Sequence, residues 1–158
     1  MTSIAKIRIL LADDHTILRE GLRCILEAEP DMEVVGEARD GAEAVIKARE
    51  LRPDVVLMDL AMPIMDGLEA TRQIAKEDPG AKVLILTMYG TEEYAWLVLE
   101  AGATGYVVKK SAAAELASAV RAVARGGVFL SPQLTQRLIA AYTKAARTKG
   151  HRVAGSRH

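Results

Sequence analysis

This sequence predicts an α/β fold built on an open parallel sheet with helices on both faces. Three observations point to it. Short apolar runs recur between Ile7 and Lys109, each is followed by a stretch whose apolar residues repeat at spacings of three and four, and the connections between them are short. Five such alternations demand right-handed crossovers, and these bury each strand between two helical layers. The two most continuous runs, "VVLM" at 55–58 and "VLIL" at 83–86, belong at the centre of the sheet.

Taken in order, "KIRILLADD" sets Ile7, Ile9 and Leu11 on alternate positions, a strand, and "HTILREGLRCILEAEP" repeats Leu18, Leu22 and Ile25 at helical spacing until Pro30. Cys24 lies at helical spacing from Ile17, Gly21 and Ala28, which reads as a small core position. "MEVVGEA" is the second strand. "DGAEAVIKARELRPD" is the second helix, with Asp40 as cap and Ala44, Val45, Ala48 and Leu51 on one face. "DVVLMD" is the third strand, and Asp66 and Gly67 open a helix through Ile74. "AKVLILT" is the fourth strand, and "TEEYAWLVLEAGA" a helix ended by Gly102. "TGYVVK" and "SAAAELASAVRAVARGG", with Ser111 as cap, complete the fifth pair.

Beyond Gly127, "SPQLTQRLIAAYTKAART" offers Ser131 as cap, Pro132 at the first helical position and a stripe of Leu134, Leu138, Tyr142 and Ala145. A sixth helix outside the sheet is expected. The division is a domain over 1–127, a linker helix over 128–149 and a disordered tail over 150–158. Within the fourth helix, residues 94–99 ("YAWLVL") are apolar all round, so Trp96 and Leu97 are candidates for exposure, although Trp96 could equally pack on the sheet edge.

Half of the residues are apolar and the formal net charge is zero. One core and an appendage fit 158 residues. The charge is uneven: eight basic and no acidic residues follow Glu115, against thirteen basic and 21 acidic up to it. A solvated linker and a phosphate-binding segment both remain open for that basic stretch. The single cysteine excludes an internal disulfide. No apolar run approaches the roughly 20 residues that span a bilayer, and "MTSIAKIRILL" carries no cleavage-type site before its strand, so a soluble cytoplasmic protein without membrane contact is expected.

The chemistry lies where the strands end. In an open parallel sheet the ligand site sits beyond the carboxyl ends of the strands, where strand order reverses. Asp13 and Asp14 follow strand one, Asp59 ends strand three, Thr87 ends strand four and Lys109 ends strand five. Singly, each has a plain explanation: the aspartates or Thr87 could cap helices, and Lys109 could be a solvated strand end. All five meeting at one crevice is harder to assign to capping. An ionised carboxylate closing the run "VVLMD" costs about several kcal/mol unless a cation, a metal or a chemical role compensates it.

The acidic pair at 13 and 14, "MDLAMPIMDG" around Asp59, "LT" at 86–87 and "GYVVKK" from Gly105 together resemble the receiver domains of two-component response regulators, from about Ile7 to Gly127. "GGVFLSP" resembles the subgroup whose receivers precede a LuxR-type helix-turn-helix output domain. The resemblance implies a five-stranded, flavodoxin-like sheet of order 2-1-3-4-5. It implies that Asp59 accepts a phosphoryl group from a histidine kinase and loses it slowly to water, as a phosphoacceptor switch and not an enzyme. Mg²⁺ would be held by Asp13, Asp14, Asp59 and the backbone carbonyl of Ala61. Lys109 would pair with Asp59 and then with a phosphoryl oxygen, and Thr87 with another. Thr87 and Tyr106 would form the switch that reshapes the surface of helix four, strand five and helix five. The resemblance further implies DNA contact only through an output domain, and the apolar helix four, which adjoins the strand carrying Tyr106, leads to the expectation of phosphorylation-enhanced self-association or partner docking through that helix and its neighbours.

Three departures stand out. Lys110 replaces a proline common after the lysine, which argues against a cis peptide there. Met88 stands where a small residue is common. About 30 residues follow Gly127, too few for the roughly 60 of an output domain, so the expectation is an excised or truncated transcription regulator, or alternatively a stand-alone receiver. A Mg²⁺-dependent small-molecule phosphatase is a more distant reading, because it wants an acid/base residue two positions after the nucleophile and Ala61 stands there. A scaffold in which the carboxylates are mere caps is the least favoured.

Overall fold

In the computed structural model, residues 5–88 and 92–130 are described, and beyond them 135–136, 139–140 and 142–144; the side chains of 92–94 are not. Strands β1 (Ile7–Ala12), β2 (Met32–Ala38), β3 (Val55–Asp59), β4 (Lys82–Thr87) and β5 (Gly105–Val108) alternate with helices α1 (Thr16–Glu27), α2 (Gly41–Leu51), α3 (Gly67–Glu77), α4 (Glu92–Glu100) and α5 (Ala112–Ala124). All strand pairs are parallel, in the order β2-β1-β3-β4-β5 and then a sixth strand, Phe129–Leu130, beside β5. The expected order 2-1-3-4-5 is present, with one more strand added.

That strand, β6 (Phe129–Leu130), corrects the five-strand expectation. It lies along β5, pairing Gly105 with Phe129 and Tyr106 with Leu130, and the Phe129 N–H donates to the Thr104 carbonyl at 3.0 Å. An open edge presents unpaired backbone groups, and a short apolar segment satisfies them at little cost. Phe129 and Leu130 also pack on opposite faces of the sheet.

The alternation of β-strand side chains builds two cores. Ile9, Leu11, Val55, Leu57, Leu84, Leu86 and Val107 face α1 and α5; Leu10, Val56, Met58, Val83, Ile85 and Tyr106 face α2, α3 and α4. β3 is buried along its whole length, as its continuous apolar run predicts. Arg121 of α5 ties the two ends of one layer together, its guanidinium donating two 2.9 Å bonds to the Asp31 carboxylate and a further bond to Glu29. That guanidinium holds the Asp31 carboxyl below the usual carboxylate range.

Caps follow the sequence at α2 and α3, where Asp40 and Asp66 accept from the N–H groups of Glu43 (2.8 Å) and Glu69 (2.9 Å). They do not at α5. Ser111 makes no capping bond, because a 3₁₀ turn, Lys109–Ser111, intervenes between β5 and α5. Lys109 therefore opens that turn one residue past the strand end, and Val108 is the last residue of β5.

Another expectation fails on α1. Ile17, Gly21, Cys24 and Ala28 share the solvent face, and Cys24 is exposed. Leu22 and Leu26 are buried instead, with Leu18 and Ile25 against the same core. The stripe of small residues was the weaker of two overlapping apolar patterns, and the sheet accommodates only the bulkier one.

Past β6, residues 135–136, 139–140 and 142–144 are helical. Ser131, Pro132, Leu134, Leu138, Ala145 and the tail 150–158 lie outside the described residues. Tyr142 stacks on Trp96 of α4, with ring centroids 6.4 Å apart and planes 30° apart. Trp96 and Leu97 are exposed, as the all-round apolar pattern of α4 predicts, at 36% and 42%.

The turn from β3 into α3 depends on backbone proximity. A Cβ built on Gly67 would stand 2.1 Å from the Asp59 carbonyl oxygen, while the Gly67 N–H donates to the Leu60 carbonyl at 2.9 Å. Both contacts are backbone, so no side chain can swing away. Gly67→Ala is expected to cost about 1–3 kcal/mol by forcing β3 and α3 apart. Urea denaturation should give a lower midpoint with an unchanged slope.

Candidate functional site

The crevice lies where the chain leaves β1 for β2 on one side and β3 for β4 on the other. Asp13 follows β1, Asp59 ends β3, Thr87 ends β4 and Lys109 follows β5, so four adjacent strands deliver them to one place. Asp13 and Asp59 are almost wholly buried, at 2% and 3% exposure. Lys109 Nζ lies 3.2 Å from Asp59 Oδ1 and 3.5 Å from Asp13 Oδ2. One ammonium thus faces two buried carboxylates, and Asp14 adds a third at the exposed rim.

This balance is unfavourable to ionisation. Burial, and then the Asp13 charge, push the Asp59 carboxyl above its ordinary value, with Lys109 and the Ala61 N–H opposing them. The second oxygens of both carboxylates, Asp13 Oδ2 and Asp59 Oδ2, are buried without a hydrogen-bond partner. Buried carboxylate oxygens left in this way suit a hard cation or a transferred group.

Asp13 does not cap α1. Its Oδ1 accepts from the His15 N–H at 2.8 Å, and its backbone is held from two sides: the N–H donates to Ala38 at 3.0 Å and the carbonyl accepts from Arg19 Nη1 at 2.6 Å. Arg19, buried on the inner face of α1, also donates through Nε to Glu37 at 2.9 Å. Two residues near the site were thus missed in the sequence. Arg19 announced itself only as a charge on an apolar helical face, and His15 as the neighbour of an acidic pair.

Thr87 is buried at the mouth, and beside it opens a cleft of about 1010 Å³ lined by Asp59, Lys109, Thr87 and largely apolar residues. Met88 is mostly exposed on its rim. Leu97 and Val98 of α4 form part of its wall. Tyr106 lies on the strand beside β4, fully buried in the core under α2, α3 and α4. No peptide bond among the described residues is cis, the Lys109–Lys110 bond included. Ala61, two residues past Asp59, has no side chain able to carry a proton. No helix among the described residues is long and apolar enough to cross a membrane.

The sequence model of the response regulator receiver domain matches residues 9–121. The chain belongs to that family. This receiver domain is 48% identical over 133 residues to the transcriptional regulatory protein LiaR of Bacillus subtilis (strain 168), which covers 84% of this chain and 63% of that protein. It is 47% identical, again over 133 residues, to the oxygen regulatory protein NreC of Staphylococcus carnosus (strain TM300), covering 84% and 61%. The chain therefore spans about three fifths of the length of these curated relatives. Among solved structures it resembles a LuxR-family two-component response regulator from Aurantimonas sp. SI85-9A1, with a TM-score of 0.83 and 43% identity over 88% of this chain and 99% of that one. These relatives are regulators, and the chain is a signalling receiver domain with the parallel sheet of that family.

The raised Asp59 carboxyl has a consequence for stability. A carboxyl whose value is raised on folding stabilises the protein below its ordinary value, 3.8, and that contribution is lost as pH rises through the folded value. At neutral pH the ionised Asp59 therefore works against the fold. In metal-free buffer Asp59→Asn should melt at a higher temperature than the wild type at pH 7, and the difference should shrink as pH falls toward 3.8. Thermal melts in chelator at both ends of that range check it; a difference that does not vary with pH contradicts it.

Proposed function

We propose that this receiver domain takes a phosphoryl group from a partner histidine kinase onto Asp59, and that the modified crevice changes the surface offered by α4, β5 and α5. The observation that carries this reading is the buried Asp59 carboxylate at the end of the central strand, with one oxygen on Lys109 and the other unpartnered beside an open cleft. The unpartnered oxygen is the nucleophile. It attacks phosphorus as the bond from phosphorus to the kinase histidine breaks, and the electron pair leaves on that histidine's nitrogen.

The residues present fit Mg²⁺. The donors are oxygens, two of them buried without hydrogen-bond partners, and the site carries more negative than positive charge. Asp13, Asp14, Asp59 and the Ala61 carbonyl would hold the ion, which supplies positive charge against the phosphoryl oxygens. Lys109 turns from the carboxylate to a phosphoryl oxygen, and the Thr87 hydroxyl donates to another. Inward movement of Thr87 alters the packing beside Tyr106 on the neighbouring strand, and α4, which walls the same cleft, follows it. Coupling of about 1–3 kcal/mol suffices for such a switch.

Slow loss of the group to water agrees with Ala61, since no side chain two residues past Asp59 can activate the attacking water. The protein works in the cytoplasm, where a kinase of this kind has its phosphodonor. Its domain extends to β6, with the helical segment beyond as a link to a DNA-binding output domain, a reading supported by the description of the longer relative LiaR as a transcriptional regulatory protein.

Mass spectrometry after acetyl phosphate and Mg²⁺ is expected to find one phosphoryl addition on the wild type and none on Asp59→Asn; persistent addition to the variant would refute the assignment. The exposed Leu97 on α4 supports phosphorylation-driven self-association through that face. Light scattering should detect a dimer with beryllofluoride in the wild type and a monomer in Leu97→Glu. A dimer that survives the substitution puts the interface elsewhere.

A further inference from the structure

His15 is the one residue of the acidic crevice for which neither the fold nor the phosphoryl chemistry accounts. It occupies the N-cap position of α1 but makes no side-chain capping bond. Its ring instead turns toward the carboxylates, with Nδ1 3.2 Å from Asp13 Oδ1 and 3.1 Å from Asp14 Oδ1. Its own N–H is held by Asp13 Oδ1 at 2.8 Å, so the backbone carrying the ring is anchored to the site. Asp13, Asp14, His15 and Asp59 each present a ligand atom, and these atoms lie within 4.8 Å of one another.

We propose that His15 is a metal-ligand residue, completing with Asp13, Asp14 and Asp59 a mixed nitrogen and oxygen site that takes a borderline divalent transition cation in preference to Mg²⁺. The inference rests on the reading of the crevice as a cation site and goes beyond it in naming a nitrogen ligand and the class of ion. An independent observation points to a ligand there: Asp59, 3% exposed, has its Oδ2 buried with no hydrogen-bond partner.

The spacing suits coordination. Adjacent ligand atoms around an octahedral ion with bonds of about 2.1–2.2 Å stand about 3.0–3.1 Å apart. The two Nδ1 distances, 3.2 and 3.1 Å, are close to that edge, so the ring needs little movement to share an ion with both carboxylates. The donor set then decides which ion. Mg²⁺ selects oxygen and keeps several waters, whereas an imidazole nitrogen adds affinity for Mn²⁺ through Zn²⁺ in the order of their general binding strength. His15 is mostly exposed, so a hydrated ion can reach it.

An imidazole serving only as a counter-charge to the aspartates makes a different demand. It would compete with every divalent ion alike, and its removal would raise Mg²⁺ and Co²⁺ affinities together. The ratio of the two affinities therefore separates ligand from counter-charge.

The chain has three histidines, so the full chain carrying His151→Ala and His158→Ala leaves His15 as the sole imidazole. Calorimetric titration of that protein with MgCl₂ and with CoCl₂, and the visible spectrum of bound Co²⁺, are compared with and without His15→Ala. The Co²⁺ to Mg²⁺ affinity ratio is expected to fall by about tenfold or more, since loss of a residue that only hydrogen-bonds a metal ligand already costs about 10–100-fold. The Co²⁺ absorption should change as nitrogen leaves the ligand set. His15→Gln, which keeps a polar side chain on α1, should lose the same preference. Mg²⁺ binding with an unchanged ratio and spectrum overturns the role of His15 and leaves the Mg²⁺ reading standing. Co²⁺ binding that depends on His15, with no Mg²⁺ binding at all, sustains this role and overturns the Mg²⁺ reading.

Discussion

Three carboxylates crowd the carboxyl ends of β1 and β3, and one largely buried ammonium faces two of them. At about 3–4 Å, charges in such a crevice interact far more strongly than in water, so Lys109 cannot satisfy Asp13 and Asp59 both. Burial, and then this imbalance, raise the Asp59 carboxyl, and one oxygen of each buried aspartate is left without a hydrogen bond. The proposed binding of a cation and of a phosphoryl group draws on this same deficit.

Holding such a cluster together takes a scaffold that does not relax. Strand β3 is buried on both faces, and the turn beyond it brings the Gly67 backbone against the Asp59 carbonyl. The Asp13 main chain is gripped by Ala38 and by the Arg19 guanidinium, which is itself paired with Glu37. Repulsion between the carboxylates therefore cannot be relieved by moving the strands apart, because each movement would strip buried hydrogen bonds or open the close-packed core.

Helix α4 stands between the crevice and the outside. Val98 is buried under it while Leu97 and Val98 wall the cleft, and Trp96 meets Tyr142 of the C-terminal segment on the outer side. A single helix thus touches both the crevice and the C-terminal segment. Under the proposed function, rigid displacement of this helix would carry a change at Asp59 to the C-terminal segment without a long relay.

The order of strands and helices, the central place of β3 and β4 and the caps at Asp40 and Asp66 were legible in the sequence, because period, length and turn chemistry are local properties. So was the meeting of Asp13, Asp14, Asp59, Thr87 and Lys109 at or just past the strand ends, since a parallel sheet sends all its carboxyl ends to one edge. The exposure of Trp96 and Leu97 followed from a helix too apolar to bury all its faces. Other features depended on neighbours distant in the chain. Ile17 and Cys24 turned outward because the sheet chose the bulkier of two apolar stripes on α1. Residues 129–130 became a strand because β5 had a free edge, and the turn at Lys109 displaced the cap expected at Ser111. Which carboxylate oxygens stay unpartnered, and where the His15 ring turns, were decided only in three dimensions. Those properties are set by distances of 3 Å or so between segments that the sequence keeps tens of residues apart, and by burial that no single segment creates alone.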